Sequence, residues 1–297
     1  MHKIKLFLMI NFLLVINLNC KWPWKFKRNP NLVQITSPDP DIPSSFCPKW
    51  HNSNRIYYLK SNHPAYGPQN GSVWCVEPNG ANNREICSGS FDDLAISPDG
   101  RYLAVLPHNN KDLKLLDTNG NMVRNLSTKA IPFFIQFSKT EPKIYYLGKE
   151  REAISYGLYS INIEGENDTL LLRMGGLSGL DPLEKGIFDV SFDGLNFFFR
   201  ETLYSLITKA KRYFKNVKGP LQFSKLNKDL LLYSRKGDIY IINLSNGKEQ
   251  CLKAKPWEEC HTNSLCWSPD EKSVVFSSVT TEGEFASYYI WVLKNYD

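Results

Sequence analysis

The chain has 297 residues, of which 42% are hydrophobic and 22% are charged, an ordinary composition for a globular protein. Its formal net charge is +6, and removal of Lys3 and Lys5 with the leader described below lowers it to +4. So mild and dispersed a charge argues against a nucleic-acid-binding protein. Aromatic residues make up 13% of the chain, which favours strands.

Residues 1–20 have the layout of a secretory signal peptide. His2, Lys3 and Lys5 form a basic start, and an apolar run over 6–16, broken only by Asn11, leads to Cys20. The run is too short to span a bilayer, which needs about 20 apolar residues. The sequence therefore predicts export. The alternative is a buried N-terminal strand or helix.

Cys20 resembles the lipid-attachment cysteine of bacterial lipoproteins, although Asn17 and Asn19 depart from the usual pattern before it. The resemblance implies that Cys20 carries acyl chains and that the protein is anchored to a membrane of the cell envelope. The alternative is an ordinary cleavage site nearby and a secreted, soluble product. Residues 21–28 alternate aromatic and basic side chains, which suits a membrane interface. A solvated tether is the other interpretation.

A repeated motif organises the rest of the chain. Ser-Pro-Asp-Gly at 97–100 returns as Ser-Pro-Asp-Glu at 268–271, with weaker copies at 136–138, 190–194 and 222–224. The similarity of 55–59 to 143–147 adds an earlier copy. Each of these six repeat units has one marker residue: Trp50, Ser97, Ser138, Ser191, Ser224 and Ser268. Their spacing averages about 44 residues, the length of a propeller blade.

Hairpin signals recur inside the units. Asn79-Gly80, Asn119-Gly120 and Asn246-Gly247 follow apolar runs, and Gly165 lies at a similar place. Asn-Gly predicts a two-residue hairpin turn in which both central residues have positive φ. The preceding runs, 73–76, 113–116, 158–163 and 239–242, are predicted strands. Outside the leader, no segment predicts a helix of comparable quality.

These units resemble the WD40-like repeat of TolB-type propellers over residues 50–297. The resemblance implies an all-β, six-bladed β-propeller. The sequence departs from the pattern at Glu271, where the family has glycine, and in the fourth unit, which lacks the hairpin glycine. The last unit stops at Asp297 after its third strand, at 288–293, and residues 31–36 resemble fourth strands elsewhere. An N-terminal strand at about 31–36 is therefore expected to close the last blade.

The expected domain organisation has three parts. Residues 1–20 are the signal peptide, residues 21–48 are a proline-rich tether that contains the closing strand, and residues 49–297 are the propeller.

Six cysteines follow Cys20, and an even number in an exported chain permits disulfides. Three pairs are suggested by position: Cys75 with Cys87, Cys251 with Cys260, and Cys47 with Cys266. Six cysteines allow fifteen pairings, so these three are hypotheses. A metal site is disfavoured because no Cys-x-x-Cys pair occurs.

No catalytic constellation or cofactor motif appears. The closest match to a serine-hydrolase elbow, at 176–180, lacks its final glycine. The pairs Asp92-Asp93 and Glu258-Glu259 are adjacent, so in strands they point to opposite faces. The histidines after the leader fall at unlike positions of their repeat units and predict no metal ring: His51, His63, His108 and His261. The basic and aromatic run at 209–215 predicts a solvated outer hairpin, with nucleic-acid binding as its alternative.

The function implied by the resemblance is binding. The expected protein is a membrane-anchored propeller, without enzymatic activity, that presents its top face or central channel to a protein or small ligand. It is not expected to bind nucleic acid. One alternative is a carbohydrate-active or lyase-like propeller enzyme, and another is a structural scaffold of the envelope. Since propellers host many functions, only the site can decide.

Overall fold

A computed structural model describes residues 29–36, 44–61, 71–109, 112–150, 155–175, 187–217, 219–257, 260–280 and 287–296. Several predicted features lie outside these residues: the signal peptide with Cys20, the segment 21–28, the prolines of 37–43, His63, the 176–180 segment and Glu258-Glu259. All regular elements of the described chain are β-strands. Among the described residues there is accordingly no helix long and apolar enough to cross a membrane.

The strands follow one another along the chain in short antiparallel groups. The first is β1 (Leu32–Gln34). A group of seven follows: β2 (Ser45–His51), β3 (Arg55–Lys60), β4 (Gly71–Val76), β5 (Arg84–Ile96), β6 (Tyr102–Pro107), β7 (Leu113–Asp117) and β8 (Met122–Leu126). The next four are β9 (Ala130–Phe137), β10 (Lys143–Glu150), β11 (Tyr156–Asn162) and β12 (Thr169–Gly175).

Three more groups complete the described chain. The fourth repeat unit forms β13 (Phe188–Val190), β14 (Asn196–Phe199), β15 (Thr202–Ser205) and β16 (Lys211–Tyr213). The fifth forms β17 (Leu221–Phe223), β18 (Leu230–Arg235), β19 (Asp238–Asn243) and β20 (Glu249–Cys251). The sixth forms β21 (His261–Trp267), β22 (Ser273–Thr280) and β23 (Ser287–Lys294).

The sheets give an all-β, propeller-like architecture. Four sheets have four strands each, while β2 to β8 form one sheet of seven. The repeat spacing predicts six separate blades, whereas the structure has four blade-sized sheets and one of nearly double length. The reason is the 13-residue strand β5, which pairs with β4 through its first part and with β6 through its second. In the third to sixth units, no described strand is shared between two consecutive units, so their sheets are separate.

The apolar core lies between consecutive repeat units. The described residues form six buried clusters, and each combines side chains from two neighbouring units. One of them joins the first unit to the last, because Trp50 and Ile56 pack with Val275 and Ile290. Each unit is thus packed through an apolar cluster against the next unit along the chain, and the last unit is packed against the first.

Strand β1 completes the sheet of the sixth unit. It pairs antiparallel with β23, with Leu32 opposite Leu293 and Gln34 opposite Trp291. Leu32 and Ile35 are buried, at 7% and 5% exposure. The pairing covers an edge that would otherwise expose unpaired backbone groups. It is the pairing expected for residues 31–36.

The hairpin turns differ from the expected type. Gly80, Gly120 and Gly247 have φ of 87°, 90° and 73°, but the asparagine before each does not have positive φ. In the Gly120 turn, the Gly120 amide donates to Asp117 O and the Asp117 amide donates to Asn121 O. This pattern is typical of a type I turn followed by a left-handed glycine. The prediction of two positive-φ residues is therefore wrong, since one left-handed residue closes each turn.

Candidate functional site

The Ser-Pro-Asp-Gly motif builds turns. The Ser97 hydroxyl donates to Asp99 Oδ1 at 2.7 Å and accepts from the Tyr102 amide at 2.9 Å. Asp99 Oδ1 also accepts from the Arg101 amide at 3.0 Å. The pKa of Asp99 is lowered: burial acts to raise it, but the bonds from Ser97 and Arg101 outweigh that. These polar groups are committed to the turn.

The same hydrogen bonds recur in two other units. Ser191 donates to Asp193 at 2.5 Å, and Ser268 donates to Asp270 at 2.6 Å. Each serine also accepts from the backbone amide five residues later. The motif is therefore a structural device that joins the first and second strands of a unit, and its residues are unavailable for chemistry.

Side chains of the first strands connect successive units around the centre of the molecule. Asp93 Oδ2 accepts from the Ile135 amide at 2.9 Å, and Asp189 Oδ2 accepts from the Phe223 amide at 2.7 Å. Further connections of the same kind run from the Trp267 amide to Gln222 Oε1 (2.7 Å) and from the Cys47 amide to Ser264 Oγ (3.1 Å). Lys139 and His51 join the two remaining pairs of neighbours, and Glu271 adds a second connection between the fifth and sixth units, as described below.

A cavity of about 340 Å³ opens where the first strands meet the motif turns. All six repeat units contribute to its wall. The lining residues used below are Lys49, His51, Ile96, Gln136, Phe137, Lys139, Phe192, Gln222, Lys225, Leu226 and Cys266. A second cavity of about 10 Å³ lies between the first strands and shares Lys49, Gln136 and Gln222 with the larger one. The larger cavity has the volume of a small ligand site, and the space beneath it is nearly filled.

The charged residues that line the larger cavity are basic. Lys49, Lys139 and Lys225 belong to the first, third and fifth units, and His51 lies beside them. No described aspartate or glutamate lines this cavity. Lys139 differs from the other two lysines, because its Nζ donates to Asp189 Oδ2 at 2.5 Å and to Val190 O at 2.7 Å. Burial holds the pKa of the Lys139 ammonium below its ordinary value, against the opposing effect of Asp189.

His51 is held as a neutral ring. Its Nδ1 accepts from the Ser53 amide at 2.9 Å, so the proton is on Nε2, which donates to Gly100 O at 2.9 Å. The ring is 9% exposed, and burial lowers its pKa, helped by the positive charges of Lys225 and Arg55. Because Gly100 belongs to the second unit, this bond connects the first and second units.

An apolar rim borders the basic wall. Phe192 is 41% exposed and Leu226 is 73% exposed, both on turns of the motif. Ile96 and Phe137 add apolar surface to the lining. The cavity therefore presents cationic and apolar surface to the same ligand.

The three predicted disulfides are not formed in the structure. Cys75, Cys87, Cys251, Cys260 and Cys266 are free cysteines. In the ladder between β4 and β5, Cys87 lies opposite Val73 and Cys75 lies opposite Arg84, so the two thiols are not cross-strand partners. Cys266 instead accepts from the Trp50 amide at 3.4 Å, and Cys260 is buried while Cys251 is exposed.

The other candidate groups are dispersed. His108 pairs with Asp92 at 3.0 Å, whereas Asp93 points into the centre, as expected for adjacent strand residues. His261 is exposed at the start of β21. Among the described residues, no three His, Cys, Asp or Glu side chains form a group that could hold a metal ion. The basic run 209–215 includes β16, the exposed outer strand of its sheet, which is the position of the predicted outer hairpin.

Sequence reasoning missed the three lysines. Lys139 and Lys225 directly follow the marker residues Ser138 and Ser224, where Ser97 and Ser268 are followed by proline. Lys49 precedes the marker Trp50. Comparison of the residues that follow the markers would have found Lys139 and Lys225, because those positions line the cavity in every unit.

Comparisons with solved structures agree with the sheet arrangement. An oligogalacturonate lyase in complex with manganese matches with a TM-score of 0.57 and 13% identity, over 89% of this chain and 93% of that chain. A chain of the mitotic checkpoint complex matches with a TM-score of 0.51 and 13% identity, over 91% and 87%. The fold is a β-propeller. No family model matches the sequence, and no curated protein matches it. At this identity the propeller matches carry no information about activity.

Proposed function

We propose that this protein is an exported, lipid-anchored propeller of the TolB type that acts as a binding module at the cell envelope. It works by binding a protein or small ligand, without catalysis, and the 340 Å³ cavity is its binding site. The single observation that carries this proposal is the convergence of all six repeat units on one cavity whose wall includes lysine side chains that the turns do not use.

The proposal includes a ring of six blades. In this ring the seven-stranded sheet is two blades that share β5. Strand β5 passes from one blade to the other at the register shift between Phe91 and Asp93. Two features support this count. Six apolar clusters join consecutive units, including the sixth to the first. The central hydrogen bonds follow the same order.

The binding site can be tested with a photo-crosslinking amino acid at position 226, on the cavity rim. The matched control is position 207, since Ile207 is 68% exposed in a turn outside the cavity. The turns joining first to second and third to fourth strands lie at the same end of an antiparallel sheet, so both probes sample one face. We expect the probe at position 226 to form an adduct with the bound protein or small ligand, detected by gel shift or intact mass, and the probe at position 207 to form none. Equal labelling at both positions would argue against the cavity as the site.

The membrane anchor is tested separately with Cys20→Ala. Because acyl chains hold a protein on a bilayer through buried CH₂ groups, loss of acylation should release the protein from the membrane fraction. Metabolic labelling with a fatty acid should mark the wild type alone. Retention of the variant on the membrane, with no label on the wild type, would remove the anchor from the proposal.

A further inference from the structure

We propose that the cavity binds an organic carboxylate, held between the ammonium groups of Lys49 and Lys225. The inference rests on the proposed function and names the chemistry of its ligand. The carboxylate can belong to a free small acid or to an acidic side chain of a peptide, and the experiment below separates these sources.

The first argument is that two ammonium groups in the cavity wall have no ion pair among the described residues. Lys49 and Lys225 are half-buried in the cavity wall, and the described part of the chain shows no ion pair for either ammonium group. Lys139 is the contrast, because Asp189 neutralises it in the same wall. Two cations in a concave, partly desolvated site attract an anion more strongly than they would on an open surface.

The second argument is that the nearby carboxylates are already bound. Asp93 is 4% exposed and accepts backbone amides from Leu94 and Ile135. Asp189 is 1% exposed and binds Lys139 and the Phe223 amide. Glu271 binds the hydroxyl of Ser224 and the amide of Lys225. Within the described residues, none of these carboxylates forms an ion pair with the ammonium group of Lys49 or Lys225.

The third argument concerns the shape and polarity of the remaining wall. Phe192, Leu226, Ile96 and Phe137 offer apolar contact beside the lysines, so the site suits an anion with a carbon framework. Gln136 adds an amide donor. The two lysines come from separate units and act as individual point charges, so the apolar wall beside them is what favours a carboxylate with a carbon framework over inorganic phosphate.

The test is calorimetric titration of the purified mature chain with four probes. Citrate represents a free acid, an acetylated and amidated triglutamate peptide represents an acidic segment, inorganic phosphate is the competing anion, and trimethyl citrate is the uncharged control. Lys49→Gln and Lys225→Gln remove one charge each. Lys248→Gln is the matched control, since Lys248 is an exposed lysine outside the cavity.

We expect a carboxylate probe to bind the wild type, and each cavity variant to bind it about tenfold more weakly, because a charge-assisted hydrogen bond is lost. Lys248→Gln should bind like the wild type, and the affinity should fall with added salt. Tighter binding of citrate indicates a free acid, and tighter binding of the peptide indicates an acidic segment.

The inference is overturned if phosphate or trimethyl citrate binds as tightly as the carboxylates. Equal affinity in all three lysine variants, or no binding of either carboxylate probe, would also overturn it. Crosslinking at position 226 distinguishes this failure from that of the proposed function. An adduct at 226 that persists in Lys49→Gln and Lys225→Gln keeps the binding site and removes only the carboxylate.

Discussion

Glu271 accepts a hydrogen bond from the Ser224 hydroxyl at 2.6 Å, across the boundary between the sixth and fifth repeat units. Its other carboxylate oxygen accepts from the Lys225 amide. Glu271 occupies the place that glycine has in the repeat motif and adopts φ of 57°, close to the 72° of Gly100. The departure from the motif therefore gives a strained residue a connecting role between units, next to the candidate binding site.

The first prediction is that restoring the motif glycine destabilises the protein. Glu271→Gly relieves left-handed strain of about 1–2 kcal/mol, but it removes two charge-assisted hydrogen bonds of about 1.5–3 kcal/mol each. We expect a net loss of about 1–5 kcal/mol in the free energy of unfolding, measured by urea denaturation.

Lys236→Gly is the control for strain alone. Lys236 has φ of 52° in an exposed turn, so glycine there should leave stability unchanged or raise it slightly. If Glu271→Gly behaves like Lys236→Gly, the carboxylate makes no net contribution to the connection between the units.

The fold was accessible from the sequence because its signals are local and repeated. Ser97 and Asp99 close a turn through contacts within five residues, and the same residues recur at Ser268 and Asp270. Strand β1 could also be placed, because a missing fourth strand at one end matched a spare strand at the other. What the repeat could not show was that β5 continues without a break between two units.

The candidate site was not accessible in the same way. Lys49 and Lys225 are distant in sequence and line one cavity only because the fold brings the first and fifth units to it. Whether a lysine remains available depends on its neighbours, as the pairing of Lys139 with Asp189 shows. The pairing of Cys75 with Cys87 is absent for a related reason, because strand register places each opposite another residue.

The second prediction concerns Gly100 and His51. A Cβ at position 100 would lie 1.8 Å from His51 Nε2, and Gly100 has φ of 72°. Gly100→Ala should therefore lower the free energy of unfolding by about 2–5 kcal/mol, through steric overlap and backbone strain. Gly247→Ala is the control, because φ there is 73° and no atom lies within 4 Å, so only strain contributes.

A double variant separates the two causes. His51→Ala removes the ring that a Cβ at position 100 would meet, so His51→Ala/Gly100→Ala should be less destabilised than the sum of the single variants. Simple additivity in a double-mutant cycle would mean that strain alone explains the effect of Gly100→Ala.

The third prediction is a loss of stability in mild acid through His51. Burial lowers its folded-state pKa below the ordinary 6.5, with Lys225 and Arg55 acting in the same direction, while the hydrogen bond to Gly100 O and the charge of Asp99 act to raise it. The unfolded chain then binds a proton at a higher pH than the folded chain. The contribution of the neutral His51 ring to the free energy of unfolding is fully present above about pH 6.5 and is lost as the pH falls towards the folded-state pKa.

The melting temperature should therefore fall as the pH is lowered from neutral to mild acid, which gives a slope of melting temperature against pH. His51→Gln should flatten it, although it lowers stability at neutral pH by removing the bond to Gly100. His261→Gln, at an exposed position, controls for replacement of a histidine. An identical slope in His51→Gln and wild type would assign the acid sensitivity to another group.

The fourth prediction concerns the ion pair of Lys139 and Asp189, whose side chains are 3% and 1% exposed. Lys139→Met leaves a buried carboxylate without its cation and should cost about 3–5 kcal/mol. Lys139→Met/Asp189→Asn removes both charges, while the amide oxygen can still accept from Phe223. We expect the double variant to be more stable than Lys139→Met, as judged by urea denaturation. A double variant less stable than the single one would contradict this account of the pair.

The fifth prediction tests the closing strand. Ile35 is 5% exposed and packs in the cluster that contains Trp50 and Val292, so Ile35→Ala should lower the free energy of unfolding by about 2–4 kcal/mol. Gln34→Ala, at an exposed neighbouring position, should cost at most about 1 kcal/mol. Deletion of residues 21–36 should lower the melting temperature more than either substitution, because it also removes the backbone pairing of β1 with β23. An unchanged melting temperature in the deletion would show that the ring does not depend on this strand for its closure.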